Sequence, residues 1–257
     1  MTIHHKTGLA WETLSNVYVR DGGTWKEANE VWIKEAGVWK LAHSKAGSIT
    51  FTSNTTFTVP AYGVLTIEMW GGGAAGGNAN NYDGSNGNPG GDTVVTVSGT
   101  DLMRAYGGNG GYGTTGYRVS MGGVGGRAGV GATAAFENTV VSGNPGGGSS
   151  FGSGPGGAAP YGGAGGNAVS IPPFGILYGG AGQEPGGGGA GGIYDNGSGY
   201  WNKGGGASSG GYVKSKFNAG AIAVGTVLTI IIGAGGTSSV NGGYGAKGRI
   251  IITWTPK

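Results

Sequence analysis

The chain contains no cysteine, so disulfide staples, thiolate metal ligands and thiol nucleophiles are excluded together. Charge is also scarce: 11% of residues are Asp, Glu, Lys or Arg, and the net charge is only +3. The lysines and arginines are scattered and form no phosphate-tracking patch, which excludes nucleic acid as a partner. No apolar run approaches the ~18 residues of a membrane helix, so membrane insertion is not expected. Met1-Thr2-Ile3-His4-His5 is no secretory signal; the expectation is synthesis in a cytoplasm without a signal peptide and release by another route, such as lysis.

Catalytic signatures are missing as well. The three histidines, His4, His5 and His43, sit near the N-terminus, away from the scattered carboxylates Asp83, Asp92, Asp101, Glu137, Glu184 and Asp195. Gly71-Gly72-Gly73-Ala74-Ala75-Gly76 satisfies G-x-G-x-x-G, but the turn-forming stretch from Asn78 to Gly91 cannot be the helix a dinucleotide site requires. No catalytic residue, metal site or cofactor is assigned, and the chain reads as a non-enzyme.

What is present is glycine: 66 of 257 residues, against a usual share of roughly 7%. Such a chain loses much backbone entropy on ordering, and composition alone would be compatible with a flexible linker. Seven Trp, twelve Tyr and six Phe argue for order, because disordered chains are poor in aromatics and rich in charge.

Residues 1–45 differ from the rest and repeat at an offset of 14. Val17-Tyr18-Val19-Arg20-Asp21-Gly22-Gly23-Thr24-Trp25-Lys26-Glu27-Ala28 matches Val31-Trp32-Ile33-Lys34-Glu35-Ala36-Gly37-Val38-Trp39-Lys40-Leu41-Ala42, and Trp11 stands 14 before Trp25. Each unit reads as strand, glycine-containing turn and Trp-bearing strand. Small hairpins bury little by themselves. Trp11, Trp25, Trp32 and Trp39 are therefore read as an attachment surface, with three equivalent tryptophans suited to three equivalent pockets of a trimeric partner.

Alternation in Ile49–Thr52, Thr56–Pro60 and Val64–Trp70 predicts strands, answered by Tyr212–Phe217, Val227–Ile232 and Gly248–Trp254, with a shorter pair at Asp92–Val97 and Leu102–Tyr106. Between strands 48–70 and 212–254, residues 71–211 carry glycine in clusters: Gly71–Gly77, Gly107–Gly111, Gly122–Gly131, Gly146–Gly157, Gly162–Gly166, Gly179–Gly182, Gly186–Gly192 and Gly204–Gly211. No strict G-X-Y register persists and proline totals only nine, which argues against collagen. The clusters fit a bundle of polyproline-II-like helices, three residues per turn, ~3.1 Å rise and no internal hydrogen bonds, in which neighbouring backbones supply the partners. The fold class is thus mostly β or irregular: hairpin repeats over 1–45, then a domain over 46–257 in which a β framework carries a polyglycine-II bundle.

Thr56-Phe57-Thr58-Val59-Pro60, the run Val64–Trp70 into Gly71-Gly72-Gly73-Ala74, Gly-Ala-Gly-Gly at 233–236 and the closing Gly248-Arg249-Ile250-Ile251-Ile252 resemble the glycine-rich domain widespread in phage tail proteins. The wider plan is similar to the tip adhesins of T-even-type long tail fibres. That resemblance implies a polyglycine-II sandwich at the virion's tail-fibre tip, capping a trimeric fibre protein through the N-terminal Trp repeats. Its distal loops would bind a bacterial outer-membrane protein or surface glycan. By analogy the recognition residues fall between the glycine clusters: Tyr82 and Asn86; Tyr112, Tyr117 and Arg118; Phe136; Pro172, Phe174 and Ile176; Tyr194, Tyr200 and Trp201. Tyr and Trp offer rigid contact area at small entropic cost. The other readings open at this point are a structural or ice-binding glycine protein, and a fibre-tip cap that binds nothing.

Overall fold

The computed structural model describes residues 4–7, 10–13, 17–28, 30–80, 84–114, 122–148, 152–169, 175–195, 197 and 201–256. The chain opens with three antiparallel hairpins: β1 (His4–Thr7) with β2 (Ala10–Thr13), β3 (Tyr18–Asp21) with β4 (Thr24–Glu27), and β5 (Glu30–Glu35) with β6 (Val38–Ser44). The 14-residue repeat is a repeat of register, since Lys6 faces Trp11, Arg20 faces Trp25 and Lys34 faces Trp39. The second hairpin turns on Gly22 and Gly23 at φ +56° and +85°, and the third on Ala36 and Gly37 at +49° and +82°. Left-handed φ at both central residues is what a two-residue turn needs to match strand twist.

Three sheets follow, built from β7 (Gly47–Phe51), β8 (Thr55–Thr58), β9 (Val64–Trp70), β10 (Thr93–Val97), β11 (Thr100–Ala105), β12 (Glu137–Val141), β13 (Ile176–Leu177), β14 (Ile193–Asp195), β15 (Trp201–Lys203), β16 (Tyr212–Asn218), β17 (Val227–Ile231) and β18 (Arg249–Trp254), and the two larger ones form a sandwich. A five-stranded sheet runs β12-β16-β9-β18-β7, and a four-stranded sheet runs β11-β10-β17-β8. Their inner faces share one core. Leu65, Ile67 and Met69 of β9, Val213 and Phe217 of β16, and Ile250 and Ile252 of β18 meet Val95, Met103, Leu228 and Ile230. Each such side chain contributes about 1.5–3 kcal/mol by leaving water. The alternation that predicted strands at 64–70, 212–217 and 248–254 is thus the pleat of the central three strands. The strands predicted near 92–97 and 102–106 form as β10 and β11.

Two features depart from the expected division of the chain. β10, β11 and β12 lie inside 71–211 yet belong to the framework, whereas 233–238 and 241–248 lie outside that span and belong to the bundle. β12 was not expected. It pairs with β16 across a separation that local pattern does not encode.

The bundle itself is a hydrogen-bond lattice with a period of three. Along 71–78, the amides of Gly71, Ala74 and Gly77 donate to the carbonyls of Gly211, Ser208 and Gly205. Those of Gly72, Ala75 and Asn78 donate to Gly91, Asn88 and Ser85, and those of Gly73 and Gly76 to Ala246 and Gly243. Each residue turns about 120° from the last and bonds a different neighbour, as a three-residue-per-turn helix requires. All three partner tracts descend in number and so run antiparallel. The carbonyls of the same tract accept from three parallel neighbours: Gly72 and Ala75 from Gly108 and Gly111, Ala74 and Gly77 from Gly189 and Gly192, and Gly73 from Gly236. The tract therefore has six bonded neighbours, the hexagonal arrangement of polyglycine II. Tracts 186–192 and 204–211 are surrounded in the same way.

Glycine is required here by close approach. A Cβ built on Gly73, Gly76, Gly87, Gly107, Gly191 or Gly245 would collide with a backbone carbonyl of the adjoining tract. In the three enclosed tracts the alanines and serines, Ala74, Ala75, Ala190, Ala207, Ser208 and Ser209, are completely buried at the remaining positions. The serines extend the lattice: Ser208 Oγ accepts from the Asn109 amide at 2.6 Å, and Ser209 Oγ from the Asn144 amide at 2.8 Å.

Candidate functional site

The tracts alternate in direction, so each has one terminus at the end of the bundle remote from the sheets. Tract 71–78 leaves β9 and rises about 25 Å at ~3.1 Å per residue before its terminus at Asn78. The described residues that gather there are tied into one surface. Ala79 and Thr114 form an isolated bridge, Thr114 Oγ1 donates to the Lys203 carbonyl at 3.1 Å, and Asn202 Nδ2 donates to the Asn80 carbonyl at 2.7 Å.

Asparagine closes this end. Asn78 Oδ1 accepts from Ser238 Oγ and from the amides of Val240, Asn241 and Gly242, while its Nδ2 donates to Ser85 and Ser239. Asn241 Oδ1 accepts the Ala79 amide, and its Nδ2 donates to the carbonyls of Ala79 and Ile193. Both side chains are fully buried. Where the lattice stops, the orphaned backbone groups need partners, and these two amides provide them. Asn78→Ala should leave several buried donors unpaired and lower stability by about 2–4 kcal/mol, read as a shift in denaturant midpoint. Asn78→Asp keeps the acceptor and should cost less than the alanine.

On this base stands a three-stranded sheet in the order β13-β14-β15. Ile176 faces Tyr194, Tyr194 faces Asn202, and Asp195 faces Trp201, so three of the residues predicted for recognition are brought together. Ile176 is exposed, Tyr194 and Trp201 are half-buried, and Asp195 Oδ1 accepts the amide of Gly197 within its own turn. Asn202 is buried, and its Oδ1 has no hydrogen-bond partner among the described residues.

The other predicted residues fall less uniformly. Tyr112 is exposed near the remote end of its tract. Asn86 is also at that end, but its Oδ1 accepts the Gly113 amide at 3.0 Å and so links two tracts. Phe136 is a correction: it precedes β12 and its amide donates to the Lys216 carbonyl of β16, so it stands at the sheet end of the molecule, opposite the surface to which it was assigned. Tyr82, Tyr117, Arg118, Pro172, Phe174 and Tyr200 lie outside the described residues. Two residues of this end were not selected from sequence. Tyr178, 67% exposed, follows β13, and Val240 is exposed in the turn between 233–238 and 241–248.

Trp25 and Trp39 are 66% and 61% exposed, and Trp32 is also exposed, its Nε1 bonded to Glu30. Lys34 Nζ stands 5.9 Å from the Trp39 ring. Among the described residues no three His, Cys, Asp or Glu side chains stand together in a way that could hold a metal. Comparison of the chain with protein-family models, curated proteins and solved structures returns no match.

Proposed function

We propose that the protein is a non-enzymatic adhesin at the tip of a phage tail fibre. In this reading the end of the bundle remote from the sheets carries receptor recognition, and the N-terminal hairpins attach the chain to a trimeric fibre protein. The observation that carries it is the division of labour along the bundle. The interior is saturated by its own backbone hydrogen bonds and presents no side chain for contact. Ile176, Tyr194 and Trp201 of the small sheet stand with Tyr112, Tyr178 and Val240 at the remote end, and the exposed Trp25, Trp32 and Trp39 lie in the N-terminal hairpins. A rigid spacer with side chains at its tip suits contact with a bacterial surface, and the similarity in plan to T-even tip adhesins names the setting. The receptor is an outer-membrane protein or a surface glycan.

The test is competition. Purified protein added to host cells ahead of the parent phage should slow adsorption, and a chain that binds cells but leaves adsorption unchanged argues against the reading. Trp201→Ala and Tyr178→Ala should each weaken cell binding roughly 30-fold, the effect of losing about 2 kcal/mol at an interface hot spot. Their unfolding midpoints should stay close to the parent's. Loss of stability with binding intact would make these side chains plugs of the bundle end.

A further inference from the structure

A depression of about 310 Å³ opens on the outer face of the five-stranded sheet, lined by Glu68, Glu137, Thr139, Tyr161, Tyr212 and Lys214. Its floor is built by register. Across β9, β16 and β12 the rows are Trp70–Tyr212–Val141, Glu68–Lys214–Thr139 and Thr66–Lys216–Glu137. Its wall is the turn between tracts 152–158 and 163–169, anchored by the Trp70 Nε1 bond to the Pro160 carbonyl at 2.8 Å. That turn lays Tyr161 edge-on against Tyr212, ring centroids 5.0 Å apart.

Tyr161 is the unusual residue. Its φ is +51°, a left-handed conformation that bulky side chains rarely adopt, yet it is 73% exposed and fills no core. A glycine would serve the turn with less strain. Residues held in strained backbone conformations cluster at active sites and ligand clamps. Tyr212 is fixed beneath it: burial first, and then its 2.7 Å hydrogen bond to Glu68 Oε1, raise its pKa and keep the hydroxyl protonated. The charges balance, with Glu68 near Lys214 at 3.9 Å and Glu137 paired with Lys216 at 2.9 Å. A phosphate would need an excess of cations and a quaternary ammonium an excess of anions. A neutral molecule rich in hydroxyls uses both kinds of group as donors and acceptors, with an aromatic ring to cover its C–H face. The volume is at the lower end of the ~300–1,000 Å³ of small-molecule sites.

We propose that this depression is a saccharide site that takes one neutral sugar ring, stacked on Tyr161 and hydrogen-bonded by Glu68, Glu137, Thr139 and Lys214. It is separate from the remote end of the bundle and does not depend on the adhesin reading. The experiment is an NMR titration of the full chain with the methyl glycosides of glucose, galactose, mannose and N-acetylglucosamine. Tetramethylammonium chloride and inorganic phosphate serve as charged probes. At least one glycoside should shift the resonances of Thr139, Tyr161 and Lys214 in a saturable way. Tyr161→Gly, which removes the ring and relaxes the backbone, should weaken that binding about tenfold or more, whereas Tyr161→Phe should stay within about threefold. The proposal is overturned if no glycoside shifts those resonances, if only a charged probe does, or if Tyr161→Gly binds as well as the parent.

Discussion

Gly76→Ala is expected to destabilise the bundle more than an ordinary core substitution would. Gly76 is buried in the middle of 71–78, and a Cβ there would meet the Ala190 carbonyl and the Gly191 amide. No flexible side chain is available to move aside. Separating the two tracts would stretch the hydrogen bonds from Gly189 to Ala74 and from Gly192 to Gly77, and disturb the Gly76 bond to Gly243 on another side. Overpacking in an ordinary core costs about 1–3 kcal/mol because neighbouring side chains adjust. Here the strain falls on backbones bonded on every side, and a loss above about 4 kcal/mol is expected. In a chain of this size that lowers Tm by roughly 10 °C or more, measured by calorimetry or circular dichroism. Gly220→Ala is the control: its φ of +85° also disfavours alanine, but a Cβ there meets open space, so it should cost only about 1 kcal/mol. Equal effects at the two positions would mean that conformation and not inter-tract spacing selects glycine.

The second large effect is expected from removing residues 1–45. The shortened chain should unfold at nearly the parent's Tm yet lose co-purification with the trimeric fibre protein. Among the described residues, the sandwich core begins at Phe51 and includes no hairpin residue. Among the described residues, the hairpin segment meets it through a Trp254 Nε1 bond to the Lys45 carbonyl at 3.0 Å and a cavity lined by Glu30, Ser44, Pro60 and Trp254, whereas the Lys45–Glu27 ion pair at 2.7 Å lies within the removed segment itself. Trp25→Ala combined with Trp39→Ala should reproduce the binding defect in the intact chain, each truncation weakening the complex roughly 30-fold. Fibre binding that survives the deletion would refute the attachment role, and a collapse of Tm would show the hairpins to be part of the fold.

The central strands were legible because one face of each is buried, which writes a period of two into Leu65, Ile67 and Met69 and again into Ile250 and Ile252. The hairpins were legible through the offset of 14. The bundle was legible as glycine clusters, but its extent was not. Gly233–Gly236 and Gly242–Gly248 sit between strong strands, beyond the span 71–211 that the clusters mark. β12 is short and half-polar, and is identified only by the strand it joins. Phe136 was misplaced because aromatic content carries no information about which end of the bundle a segment occupies. Direction does: counting outward from β9, the connections alternate between the remote end and the sheet end, and the segment that holds Phe136 falls on the sheet side. The same count puts Tyr161 beside the sheet, where its backbone conformation, invisible in sequence, marks it out.

A bundle whose interior is amide and not hydrocarbon should also respond differently to temperature. The heat capacity of unfolding rises with apolar surface exposed and falls with polar surface exposed. In this chain the sandwich contributes the first term, and tracts 71–78, 186–192 and 204–211, buried almost entirely as backbone, contribute the second. The two partly cancel, so the heat capacity increment per residue falls below that of a globular domain of equal length. Its stability curve is flatter, and the molecule holds its shape over a wider span of temperature, cold included, than its modest hydrophobic core alone would allow.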